Sequence, residues 1–284
     1  MEQLVYLNGE LLPRSRARIS PFDHGFLYGY ALFETMRARG RRIFRLHSHL
    51  ERLSSSANML GLPLPPLDLE KACYEVLSAN ELDDARIRLT VSIGEGESVP
   101  DPPADPVPTV FIMGAPYNPP PVEKYREGYK AVVSKIRQNS KSPVARLKSA
   151  NYLNNVLARR EAKAAGADEA VLLNERGLLC EGSTGNVFLL YRGVLVTPNV
   201  ESGCLPGITR QAVIELAAEM RTGVEQREVR LEELLQADEA FLTNSLLGLM
   251  PLRDIDGKPV GRGGRIATER LSAAYSELVL RETS

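Results

Sequence analysis

The strongest constraint on this chain is the run "APYNPPPVEKYREG" at residues 115–128. Three successive prolines, Pro119 to Pro121, carry no backbone donor and hold φ at about −65°, so neither a helix nor a central strand passes through them. Such a segment is a stiff, extended spacer. It divides the sequence into a smaller α/β domain over 1–117, an interdomain linker over 118–125 and a larger domain over 126–284. A second proline-rich stretch, "VPDPPADPVP", reads as a surface loop inside the first domain, because the strand-like "TVFIMGA" follows it directly.

Periodicity fills in the two parts. "LVYLNGELL" gives two short β runs turning at Asn8-Gly9, a dipeptide suited to a tight hairpin. Leu46, Leu50, Leu53, Ala57 and Leu60 recur at steps of four and three ahead of Gly61, which predicts an amphipathic helix stopped by glycine. In "ARIRLTVSI", Ile87, Leu89, Val91 and Ile93 share one strand face, and Arg86, Arg88, Thr90 and Ser92 share the other. Beyond the prolines a helix is predicted from about 149 to 165, presenting Leu153, Val156 and Leu157 to a core. Strands follow near 169–173, 178–181, 186–190 and 194–197, then a helix from about 207 to 220 with Val213, Leu216, Ala217 and Met220 as its buried stripe. With 43% hydrophobic residues the chain can bury a sizeable core, and the fold class is α+β in two subdomains.

Charge excludes some partners. The 35 basic and 36 acidic residues nearly cancel and gather in no block, which argues against nucleic acid or an anionic membrane as partner. No run of about 18 apolar residues exists, and "MEQLVYLNGELLPRSR" has neither the cationic head nor the apolar core of a secretory signal. A cytoplasmic enzyme or binding protein is expected. Cys73, Cys180 and Cys204 are far apart without CxxC spacing, so buried free thiols are expected rather than a disulfide framework or a zinc site. The histidines are His24, His47 and His49 alone; a His-x-His pair on a helix points its rings to different sides, so no metal site is expected.

Four segments carry chemistry. Lys148 in "ARLKSANYLNN" precedes a predicted helix, with Arg146 on the same face of an extended segment; a lysine that acts as nucleophile must be neutral part of the time, which burial or neighbouring cations provide. In "CLPGITRQAVIELAAEM", Pro206-Gly207 opens a helix whose first amides, at Ile208 and Thr209, lack intrahelical partners and, with the Thr209 hydroxyl, suit an anion. Glu181 ends a strand just before a Gly-Ser-Thr-Gly turn, and Thr243, Asn244 and Ser245 follow another apolar strand. Amine, anion pocket, carboxylate and hydroxyl cluster are the parts needed to hold pyridoxal phosphate. A two-domain binding protein using the same helix start is the competing reading.

Lys148 with the following "SANYLNN", together with "EGSTGNVF", "LPGITR" and "DHGFLYGYALFET", resembles the class IV aminotransferases, the fold-type IV pyridoxal-phosphate enzymes, from about residue 4 to 280. The resemblance implies that family's two-domain architecture, a homodimer with its cleft between the domains, and pyridoxal 5'-phosphate as cofactor. It implies Lys148 as the lysine bonded to the cofactor and Glu181 as the partner of the pyridinium nitrogen. Arg52, Ile208, Thr209 and Ser245 would bind the phosphate, and Tyr152 would lie beside the ring. Tyr28, Arg88, Thr243 and Asn244 are the substrate-side candidates, for a small amine or amino acid. Within the family, the FET triplet at 33–35, YLNN after the lysine and the TNS cluster look most like 4-amino-4-deoxychorismate lyase, which releases pyruvate to give 4-aminobenzoate in folate biosynthesis. Branched-chain enzymes more often show FEG and a Gly-Thr pair at the corresponding places. The Arg-x-His pair of D-amino acid enzymes is missing from "GEGESVPDPPADP". The alternative is a branched-chain or D-amino acid aminotransferase acting on 2-oxoglutarate or another 2-oxo acid.

Overall fold

Alternate burial along "ARIRLTVSI" builds the middle of a sheet: Ile87, Leu89 and Val91 are fully buried, whereas Arg86 is exposed and Arg88 half-buried. The computed structural model describes residues 2–97, 99–261 and 264–284. Its chain divides into two units, one made of Met1–Asn118, Leu147–Asn151 and Leu280–Ser284, the other of Pro119–Arg146 and Tyr152–Val279.

In the first unit, β1 (Leu4–Leu7), β2 (Glu10–Pro13), β3 (Ala31–Arg39), β4 (Arg42–Ile43), β5 (Ala85–Ser92) and β6 (Thr109–Pro116) pair antiparallel in the order β2-β1-β6-β5-β3-β4. Asn8 and Gly9 turn the first hairpin with positive φ, 49° and 102°, and set Leu7 opposite Glu10. The short helix α1 (His24–Leu27) precedes β3, and α2 (Leu46–Leu60) stops at Gly61, φ 63°, at the predicted place. Buried residues of α2 and α3 (Leu69–Ala79), among them Leu53, Ala57 and Val76, pack with Met36, Ile87 and Leu89 in one core. Even-numbered residues of β3 therefore face the helices, and Phe33 and Thr35 face away.

Residues 148–150 run beside the start of β3: Phe33 N donates to Lys148 O and Ala150 N to Ala31 O, each at 2.8 Å. Strand-like pairing consumes the backbone groups that a helix from 149 would need, so α5 starts later, at Leu153, and runs to Ala164. Its buried side also differs from expectation. Leu153 and Val156 are 66% and 46% exposed, and Ala158 and Ala162 make the core contact, because two alanines four apart let the helix approach β7 and β8 closely.

The second unit begins in the proline run, but part of the expected 118–125 linker is helical: Pro121 is the N-cap of α4 (Val122–Glu127). Strands β7 (Tyr129–Gln138), β8 (Glu169–Asn174), β9 (Leu179–Gly182), β10 (Asn186–Tyr191), β11 (Val194–Pro198), β12 (Val224–Arg227), β13 (Glu239–Asn244) and β14 (Gly248–Ile255) form a mixed sheet ordered β12-β11-β10-β13-β14-β7-β8-β9, and β15 (Lys258–Pro259) pairs with β14. Helices α6 (Ile208–Glu219), α7 (Leu231–Leu235) and α8 (Ile266–Glu282) complete the described elements. Val213, Leu216 and Ala217 of α6 are buried as the periodicity requires, while Met220 is half-buried. The rings of Phe188 and Phe241 on adjacent strands stack at 5.1 Å in the interior.

Candidate active site

Two groups of side chains gather in the first unit, one on each face of β3. On the face turned from the helices, the Arg88 guanidinium carbon lies 3.8 Å and Lys148 Nζ 4.6 Å from the centre of the Phe33 ring. Each such contact contributes about 1 kcal/mol when the group is charged, so one buried ring helps to place both side chains. Thr35 pairs in register with Arg88 and shares this face. Arg146, the cation expected beside Lys148, instead ends the 3-10 turn Pro143–Arg146 and is exposed.

On the opposite face Glu34, 1% exposed, accepts from Arg52 at both oxygens, Nε to Oε1 at 2.8 Å and Nη2 to Oε2 at 2.6 Å, and from His49 Nδ1 at 2.7 Å. Burial pushes this carboxyl up, but the Arg52 charge and the hydrogen bonds from His49 and Arg52 outweigh it and hold it at about 2. Burial pushes His49 below the ordinary histidine value, against the pull of Glu34. Arg52 is therefore a compensated cation with one edge committed to Glu34. His47 points the other way, exposed and 3.1 Å from Glu51, so the two rings of the His-x-His pair do diverge. Glu34 and His49 are not recognisable as a pair from sequence. The available signal is a glutamate at a core-facing position of an apolar strand, which demands a buried partner.

Tyr28, 40% exposed, stands at the C-cap of α1. Its ring meets the fully buried His24 edge-on at 5.0 Å, and His24 Nε2 bonds the Glu97 carbonyl at 2.8 Å. His24 thus packs on Tyr28 and holds the loop carbonyl, while its buried Nδ1 has no hydrogen-bond partner.

In the second unit Glu181 lies in β9, 7% exposed, and its Oε2 accepts from Leu205 N at 3.0 Å and Asn186 Nδ2 at 3.3 Å. Helix α6 starts at Ile208 after Gly207, and no side chain caps it, so its first amides and its dipole suit an anion. Thr209 is 2% exposed, its hydroxyl 3.5 Å from Tyr275 OH. Thr243 is as deeply buried, and its Oγ1 has no hydrogen-bond partner; an unmet buried hydroxyl is the kind of group that a bound ligand satisfies. Asn244 is occupied by its own turn: Oδ1 accepts from Leu246 N and Leu247 N at 2.9 and 2.8 Å, and Nδ2 donates to Thr184 O at 3.2 Å. Ser245 lies in that turn.

Tyr152 precedes α5, and its hydroxyl donates to Ser183 O at 3.0 Å, beside a second donation from Asn155 Nδ2 at 2.9 Å. The hydroxyls of Ser183 and Thr184 donate in turn to the buried Glu169. Glu169 thus holds the Gly-Ser-Thr-Gly turn that follows Glu181, a role that its neighbours in "ADEAVLL" do not reveal.

Residues 31–255 match the family described as amino-transferase class IV. A protein of Methanocaldococcus jannaschii, named provisionally as a branched-chain-amino-acid aminotransferase, is 39% identical over 96% of this chain and 96% of its own. An aminodeoxychorismate lyase of Bacillus subtilis is 34% identical over 96% of this chain and 94% of its own. The branched-chain amino acid aminotransferase from T.th., solved with pyridoxamine 5'-phosphate, superposes with a TM-score of 0.92 at 32% identity, covering 99% of this chain and 95% of that one. Family match, whole-length relatives and superposable fold agree: the chain is an enzyme and belongs to the class IV aminotransferases, the fold-type IV pyridoxal-phosphate enzymes.

Proposed function

We propose that Lys148 is the residue that bonds to pyridoxal 5'-phosphate in this enzyme. The residues present suit that group: a buried carboxylate at Glu181, an uncapped helix start at Ile208 and Thr209, an unmet hydroxyl at Thr243, and an amine held over Phe33. In this assignment Glu181 keeps the ring nitrogen protonated and Tyr152 lies beside the ring. Arg52, Ile208, Thr209 and Ser245 bind the phosphate, each charge-assisted hydrogen bond contributing about 1.5–3 kcal/mol. When bound, pyridoxal phosphate supplies a ring that accepts the electrons released as a bond at the substrate's amino-bearing carbon breaks. Lys148 Nζ would serve as the general base that takes the proton from the substrate's amino-bearing carbon. Arg88 and Tyr28 receive the substrate's carboxylate side.

For the substrate, 4-amino-4-deoxychorismate is the reading we favour, with loss of pyruvate to give 4-aminobenzoate. Thr35 carries it. This residue stands on the face of β3 that bears Lys148 and Arg88, where the branched-chain pattern more often has glycine. Its methyl and hydroxyl narrow that face and make it more polar, which suits a ring bearing carboxylates better than a branched aliphatic side chain. The second reading is an amino-acid aminotransferase passing the amino group to 2-oxoglutarate or another 2-oxo acid. It is favoured by the likeness to the archaeal protein and to the T.th. aminotransferase.

A product assay separates the two. Supplied with aminodeoxychorismate, a lyase yields 4-aminobenzoate and pyruvate in equal amounts; supplied with branched-chain amino acids and 2-oxoglutarate, a transaminase yields glutamate. Glutamate without 4-aminobenzoate rejects the lyase. Thr35→Gly is expected to shift the ratio of the two activities about tenfold toward transamination.

A homodimer in the cytoplasm belongs to the same proposal. Ile19, Phe22 and Phe26 are 51%, 54% and 75% exposed in the first unit, apolar area that a second copy would cover. Among the described residues no helix is long and apolar enough to cross a membrane. Sedimentation of the purified protein gives the oligomeric state directly.

A further inference from the structure

We propose that Asn186 is a positioning residue whose side-chain amide ties the Glu181 carboxylate to the start of α6, so that one residue sets both ends of the bound cofactor. This rests on the reading that Glu181 meets the ring nitrogen and the α6 start meets the phosphate.

Asn186 is the first residue of β10 and is 4% exposed. Its Nδ2 carries two hydrogens and serves two acceptors, Leu205 O at 2.8 Å and Glu181 Oε2 at 3.3 Å. Leu205 N donates to the same Glu181 oxygen at 3.0 Å. Carboxylate, amide and the Leu205 backbone form a closed set of three, and Leu205 stands two residues before Gly207, the N-cap of α6.

The other side of Asn186 explains Gly207. At φ −70°, ψ 141° that residue has a backbone conformation open to any amino acid, so glycine is not required there by conformation. It is required by space: a Cβ on Gly207 would stand 2.1 Å from Asn186 Oδ1. Serine, threonine and aspartate, the usual caps, would also aim an oxygen at the helix amides that an anion needs. Asn186 therefore keeps the helix start bare while fixing its distance from Glu181. Arg210, 4% exposed in the first turn, also anchors the helix start, with Nη2 3.0 Å from both Pro198 O and Gln226 Oε1.

The test titrates the full chain, freed of cofactor, separately with pyridoxal, which lacks the phosphate, and with inorganic phosphate, which lacks the ring. Asn186→Ala is expected to weaken both about tenfold, through one hydrogen bond lost at each end. In the reloaded protein, the resonance of a nitrogen-labelled ring is expected to move toward the unprotonated position. An effect on one ligand only, or on neither, overturns the proposal. If the alanine variant does not fold, Asn186→Leu, which keeps the volume and has no donor, carries the same readings. Gly207→Ala is expected to weaken phosphate binding in the wild-type background and to add no further loss beside Asn186→Ala; additive losses overturn the proposal. Wild-type protein that binds neither pyridoxal nor pyridoxal phosphate would reject the cofactor reading itself, a result distinct from any of these.

Discussion

The two units present their candidate groups by different physics. In the first, polar and titratable side chains gather on and beside a paired strand: Glu34 accepts from Arg52 and His49, and Lys148 and Arg88 lie over the ring of Phe33. In the second, binding capacity comes from backbone amides, hydroxyls and one carboxylate, and it depends on what is missing, a Cβ at Gly207 and a cap on α6. Charges can be steered by opposite charges, whereas a helix start is placed by the packing and hydrogen bonds around it, here those of Asn186 and Arg210. Substitutions in the first unit should therefore act through electrostatics, and those in the second through geometry.

The largest expected effect is at Lys148. Lys148→Ala should abolish the visible absorbance of the cofactor-loaded protein and reduce turnover by at least about 10³-fold, with little change in unfolding temperature, since the side chain is only half-buried. Colour and activity that survive the substitution break the division of labour at its root.

Glu34 comes next. Glu34→Gln leaves Arg52 without its counter-charge, and denaturant unfolding should show a loss of about 3 kcal/mol. The pH dependence has a definite sign. A carboxyl held at about 2 in the fold, against an ordinary value of 4.5, contributes stability that is complete above pH 4.5 and lost as the pH falls toward 2. His49, lowered from 6.5, adds an earlier loss below pH 6.5, because the unfolded chain takes up that proton first. Stability measured against pH should thus fall in two limbs, and Glu34→Gln should flatten the lower one. An unchanged acid limb would mean that the pair is not what holds the first unit in acid.

The smallest effect sharpens the comparison instead of testing it. Burial pushes the Cys73 and Cys204 thiols up to about 12 and raises Cys180 as well, and all three are free and buried. Labelling at neutral pH should wait for local opening. Cys73 reports the first unit and Cys180 and Cys204 the second. Separate labelling rates mean that the units open independently, and a single rate means one cooperative event.

What the sequence reveals follows the same division. Periodicity finds α2, β5 and α6 because one face of each is buried by its own unit's core. The delayed start of α5 is invisible locally, since what displaces it is pairing between residues 148–150 and a strand more than a hundred positions earlier. Candidate groups announce themselves where the chemistry is rare, a lysine beside amides or a bare helix start. Partners such as Glu34, Asn186 and Glu169 do not, because their meaning lies in what they touch. Spacing points to Arg146 as a neighbour of Lys148, but Arg146 ends a 3-10 turn and is exposed, and it is Arg88 that shares the Phe33 ring with Lys148.

The five-residue excursion Leu147–Asn151 has a consequence for dissecting the molecule. Those residues count with the first unit while the chain on either side counts with the second. No single scission therefore releases either unit as one continuous polypeptide. A fragment ending at the prolines lacks the amine, and one beginning there carries the amine without the strand that aligns it, so neither half expressed alone should turn yellow.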